Sequence, residues 1–143
     1  VPAGKKIQLK PSALRGGKEV SAMGWTEDAH GAVLLVKQFR GRKFWTLPGG
    51  KVLAKERVDA GLKREIREET GARVAFATQM ALFDRPDKRN LTFLFRVSLR
   101  PGDVLKPKPR EIELVEYHTK LPRDASPSLK YFWKLLRHST AAE

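Results

Sequence analysis

Five consecutive apolar residues, Ala32 to Val36, sit between Gly31 and the polar pair Lys37 and Gln38. A strand buried on both faces has this pattern, and the sequence predicts one over 31–39, stopped by Gly41. Positions 43–47 give a second short strand, ended by the turn signal Pro48-Gly49-Gly50. The period then changes. A loop over 51–56 leads into a helix over 57–70, in which Leu62 and Ile66 form the buried stripe and Lys63 and Arg67 face water, with Gly71 where a left-handed cap is expected. Strands follow over 73–83 and 91–99, joined by a polar loop over 84–90. The proline- and lysine-rich stretch 100–110 reads as a surface loop and a candidate substrate contact. One more strand is expected over 112–117. Ser126-Pro127 caps a closing helix whose Leu129, Phe132, Trp133 and Leu136 recur at helical spacing and pack in the core. Residues 1–24 yield only a short strand near 7–9.

With 143 residues, 41% hydrophobic and 31% charged, the chain has the size and composition of one globular domain over 1–143. Its longest apolar run is too short to span a bilayer, and the first ten residues lack the apolar core of a secretory signal. A soluble cytoplasmic protein, monomer or homodimer, is the expectation. The absence of cysteine excludes disulfides, thiolate metal sites and a cysteine nucleophile. Lys and Arg outnumber Asp and Glu by 29 to 16, a net charge of +13, so partners should be anionic: nucleotides, polyphosphates or nucleic acid.

The charge bears most on the predicted helix. At about 100° per residue, Glu65, Glu68 and Glu69 share one edge of it. Like charges at these spacings, close to the negative end of the helix dipole, destabilise a helix by a few tenths of a kcal/mol each. A divalent cation reverses that balance, and oxygen-only ligands favour Mg²⁺ or Mn²⁺. Magnesium takes its remaining ligands from water and phosphate, so the site implies a phosphorylated substrate. Gly49 and Gly50 bring backbone close to the helix without side-chain obstruction, and Gly61, costly inside a helix, leaves space one turn before Glu65.

The pattern Gly50-x5-Glu56-x7-Arg64-Glu65-Ile66-x-Glu68-Glu69-x-Gly71, preceded by Trp45-Thr46-Leu47-Pro48-Gly49, resembles the signature of the MutT-like Nudix hydrolases, which act on a nucleoside diphosphate linked to another moiety. Similarity runs over about 31–122. The resemblance implies an α/β fold, an α/β/α sandwich around a mixed β-sheet. It further implies that Glu65, Glu68 and Glu69 bind the metal with the Gly50 carbonyl nearby, that Arg64 orients the acids, and that Glu56 supports them from the loop. A further acid from a late loop or strand is expected; Glu111 is preferred, with Glu113 and Glu116 as competitors. Ala72 and Lys55 depart from the usual pattern without removing a catalytic group.

The implied reaction is Mg²⁺- or Mn²⁺-dependent hydrolysis of a phosphoanhydride in a nucleoside diphosphate derivative or nucleoside triphosphate, by water attack on phosphorus. Which glutamate acts as base stays open. Arg40, Arg42, Lys51 and Arg110 are candidate phosphate contacts, and Phe83 and Arg85, with Phe44 and Trp25, candidate neighbours of a base. An RNA 5′ end is an alternative substrate on grounds of charge, disfavoured because the basic residues share no block and no basic-aromatic face stands out. A binding module without turnover is the reading from a different class, and the intact acids oppose it.

Overall fold

The computed structural model describes residues 18–141, so the strand expected near 7–9 lies outside the described residues. Seven strands and two helices follow in the order β1 (Glu19–Trp25), β2 (Val33–Gln38), β3 (Trp45–Thr46), β4 (Gly49–Lys51), α1 (Val58–Thr70), β5 (Val74–Arg85), β6 (Asn90–Leu99), β7 (Ile112–His118) and α2 (Pro127–Ala141). They form a mixed sheet in the order β4-β1-β6-β5 and an antiparallel sheet in the order β3-β2-β7. In the mixed sheet β1 runs parallel to β6 and antiparallel to β4.

Strand β1 was not foreseen. Its alternation is plain once paired: Val20 and Ala22 face α1, while Met23 and Trp25 face the other core. Gly24 sits under α1, where an added Cβ would lie 2.8 Å from Ile66 Cδ1 and 3.0 Å from Val97 Cγ2. The missing side chain is what lets the helix seat on the strand.

Two cores separate the layers. Val20, Ala22, Val52, Val74, Phe95 and Val97 pack against Leu62 and Ile66 of α1, the stripe expected from the helical period. On the other side of the mixed sheet, Trp25 and Leu94 meet Val33 and Leu35 of β2, Trp45 and Leu47, and Leu129 and Phe132 of α2. The predicted cap of α2 holds, with Leu129 N–H donating to Ser126 Oγ at 3.2 Å.

Pro48-Gly49-Gly50 is more than a turn. Strand β3 belongs to one sheet and β4 to the other, so the chain changes sheets there. Pro48 O accepts the Gly24 N–H at 2.9 Å, and Val52 N–H donates to Val20 O at 2.8 Å. The expected loop over 84–90 is shorter than predicted: β5 runs to Arg85, a 3₁₀ turn covers Pro86–Lys88, and β6 begins at Asn90.

Candidate active site

The sheet change puts β4 directly under the acidic edge of α1. Gly50 packs on Glu65, whose Cδ and Oε2 would lie 2.8 Å from a Cβ there. The Gly49 N–H donates to Glu69 Oε1 at 2.8 Å. In an antiparallel ladder peptide groups alternate in direction. The bonds from Gly24 to Pro48 and from Val52 to Val20 therefore turn the Gly50 groups toward Ala22 on β1. Those of Gly49 and Lys51 turn toward α1, as their bonds to Glu69 and Arg64 attest. The Gly49 N–H and the Lys51 carbonyl thus face the acidic edge of α1.

Arg64 ties the site together. Its Nε and Nη2 donate to the two oxygens of Glu56 at 2.7 and 3.0 Å, and its Nη1 to Glu65 at 2.9 Å and Glu68 at 3.3 Å. Nη2 also donates to Lys51 O at 3.1 Å. Glu56 accepts the Leu53 N–H at 3.0 Å, so the loop before α1 is folded onto the guanidinium. Gly61 makes room for this: a Cβ there would lie 2.9 Å from Glu56 Oε1. The space serves the loop carboxylate.

Environment separates the acids. Glu69 is 9% exposed, and burial pushes its carboxyl up to about 8, against the pull of the Gly49 N–H and with Glu65 and Glu111 adding to the rise. Burial also raises Glu65, opposed by Arg64. The hydrogen bonds from Arg64 hold Glu56 below the usual carboxylate range.

Glu111 joins this group and its competitors do not. Its carboxylate acts on Glu65 and Glu69 and pairs with Lys108 at 2.6 Å. Glu113 pairs with Lys37 and Lys43 at 3.5 and 3.8 Å, and Glu116 lies 3.4 Å from His118. Strand alternation fails to place Glu111 and Glu113 together because β7 is bulged there, Leu114 pairing with Lys37 and Ile112 with Gln38.

Lys108 was not singled out in the sequence. Its Nζ lies 3.9 Å from Glu68 as well as 2.6 Å from Glu111, a cation brought into the acidic cluster by the loop over 100–110. Its signal was the lysine content of that loop. Among the described residues no three acidic side chains stand as a ready-made cation cage; Arg64 and Lys108 lie between them. The donor set nonetheless fits a hard divalent ion. It is all oxygen, and the buried Glu69 carboxylate carries a desolvation cost that such a charge would offset.

The other candidate contacts divide. Arg40 donates to Arg110 O at 3.2 Å, and Phe39 N–H donates to Glu111 O at 3.0 Å, so the β2–β3 loop adjoins the acids. Lys51 is on β4, its side chain 73% exposed and 3.2 Å from Glu19. Phe83 and Arg85 are elsewhere. They lie on β5, at the opposite edge of the sheet from β4, with Phe83 stacked on Tyr131 at 4.4 Å. Trp25 is fully buried and cannot stack on a base.

Arg64→Ala should destabilise the fold by roughly 2–4 kcal/mol, because it leaves three carboxylates facing one another and the Lys51 carbonyl without this donor. A carboxyl held low in the fold adds stability above its unfolded value, and that stability is lost as pH falls through the folded value. The gap between wild type and variant in urea titrations should therefore be widest near pH 7 and narrow below about pH 4.

The sequence matches the NUDIX domain over residues 17–132. A Bacillus subtilis (strain 168) protein provisionally named 8-oxo-dGTP diphosphatase is 34% identical over 73 residues, 51% of this chain and 48% of that protein. The alignment thus spans about half the length of this relative. A MutT NUDIX hydrolase from Burkholderia pseudomallei has the same fold, with a TM-score of 0.72 at 24% identity, covering 80% of this chain and 94% of that one. A NUDIX hydrolase from Nitrosomonas europaea gives 0.70 at 26% identity, covering 85% and 73%. The matched domain takes in both sheets, the acidic edge of α1 and the strand switch beneath it, and the chain belongs to the NUDIX domain family.

Proposed function

We propose that this chain is a metal-dependent pyrophosphohydrolase that cleaves the phosphoanhydride of a nucleoside diphosphate derivative or a nucleoside triphosphate. The observation that carries this reading is the convergence of Glu65 and Glu69 on Gly49–Gly50, with Glu111 facing them from the loop before β7. Glu65, Glu68, Glu69 and the Gly49 carbonyl would hold Mg²⁺ or Mn²⁺. When bound, the ion supplies charge to offset that developing on the phosphate oxygens. Arg64 keeps Glu65 and Glu68 aimed and fastens the loop through Glu56. Glu111, exposed and held by Lys108, would orient or deprotonate the attacking water. Lys108, Arg110 and Arg40 line the approach for a polyphosphate.

The test is product release over a panel of nucleoside triphosphates, oxidised nucleoside triphosphates, dinucleotides and sugar nucleotides. Metal-dependent release of a nucleoside monophosphate from at least one substrate is expected. No phosphate product from any of them with saturating Mg²⁺ or Mn²⁺ would sink the reading and leave a non-catalytic nucleotide binder. Within the active panel, Glu111→Gln should lower kcat by about 10²-fold, while Glu113→Gln stays within about twofold. Equal losses from the two would remove Glu111 from the mechanism.

A further inference from the structure

We propose that the exposed loop between β2 and β3, together with Arg110, binds single-stranded nucleic acid. The proposal goes beyond the pyrophosphohydrolase reading and does not rest on it. Three cations and two aromatic rings lie within residues 39–44, and the fold brings Arg110 to them. Phe39 is 42% exposed, Arg40, Arg42 and Lys43 are exposed, and Phe44 is half-buried. The Arg42 guanidinium lies 6.0 Å from the Phe44 ring centre and Lys43 Nζ 5.9 Å from that of Phe39. The Arg40 hydrogen bond to the Arg110 carbonyl closes the patch on its far side. Glu113, 3.8 Å from Lys43, is the acid at its rim.

Lys43 and Arg110 hold φ of 52° and 65°, a left-handed conformation that non-glycine residues rarely adopt and that costs on the order of 1 kcal/mol or more. Two of the three such non-glycine residues among those described lie in this patch; the third, Arg89, with φ of 49°, caps the 3₁₀ turn after β5.

The order along the loop is ring, cation, glycine, cation, cation, ring. A nucleic-acid strand carries both bases and phosphates, and single strands are held by stacking platforms set among cations. A mononucleotide supplies one base. Two rings and four cations exceed it.

The test is fluorescence anisotropy of a fluorescein-labelled twelve-nucleotide single strand in EDTA, so that hydrolysis plays no part. Affinity should fall with salt at a log–log slope of about −3, from roughly 0.7 per neutralised phosphate. Arg40→Ala with Arg42→Ala should weaken binding at least about tenfold and flatten the slope by about 1.4. Phe39→Ala should weaken it roughly fivefold or more with the slope unchanged. These are surface positions, so the variants keep the fold. Lys130→Ala with Lys134→Ala, which removes the same charge from α2, should change neither quantity. A duplex of the same length that binds as tightly as the single strand would overturn the proposal. So would an equal loss from the α2 pair.

Discussion

Glu69→Gln is expected to reduce turnover by at least about 10³-fold and, in the metal-free protein at pH 8.5, to raise the melting temperature. Both effects come from one buried carboxylate. Its pKa of about 8 in the fold is well above the value near 4.3 of an unfolded glutamate. Between those values the native state holds a proton that the unfolded chain has released, so stability falls as pH rises through the window. Below it the penalty is absent, and above it the penalty is complete, on the order of 3–5 kcal/mol. Glutamine keeps an oxygen for the Gly49 N–H and removes the charge. In EDTA the variant should melt with wild type at about pH 4 and roughly 5–15 °C above it at pH 8.5. Saturating Mg²⁺ should raise the wild-type melting temperature and leave the variant unmoved. A variant that melts below wild type at pH 8.5 would show that the buried charge is not a liability, and the metal-site assignment would lose its physical basis.

Gly49→Ala is expected to be the most damaging small substitution in the chain. A Cβ there would lie 2.1 Å from the Ala22 carbonyl oxygen and 2.8 Å from Met23 Cα, both backbone, at a φ of 147°. Backbone cannot move aside as a side-chain tip can. β4 must leave β1, taking with it the Gly49 N–H that anchors Glu69. Summing the strain, the lost ladder bonds and the newly unpaired buried groups gives at least about 4 kcal/mol, a large share of the 5–15 kcal/mol typical of a domain. Gly41→Ala is the comparison: its φ is 67°, and nothing lies within 4 Å of the added atom. It should cost about 1 kcal/mol. Urea titration of the two variants checks the ordering, and equal midpoints would refute the close approach at Gly49.

The sequence made some of this visible and hid the rest for identifiable reasons. The acidic edge of α1 could be read because helical spacing is local: Glu65, Glu68 and Glu69 are neighbours whatever else the chain does. The cap at Gly71, with φ of 80° and its N–H on Arg67 O, was legible for the same reason. Strand β1 was not, because its partner β6 is some 70 residues away and Gly24 interrupts its apolar alternation. Pro48-Gly49-Gly50 carries the composition of a turn, and only the register with β1 reveals a strand changing sheets. Glu111 could be nominated but not distinguished from Glu113 until the bulge in β7 turned the two apart. Phe83 and Arg85 were drawn toward the site by residue type alone, and the sheet order carries them to its far edge. Lys108 acquired meaning only when its loop crossed the end of α1, where Lys106 N–H donates to Thr70 O at 2.8 Å.

Strand β4 is three residues long and lies at the margin of its sheet. Such margins fray far more readily than the molecule unfolds as a whole. The amides of residues 49–51 should therefore exchange with deuterium long before those of β6, which is flanked on both sides. Whatever ligand draws Glu69 and the Gly49 peptide together acts as a clasp on this fraying end, so occupancy and local order rise and fall as one quantity.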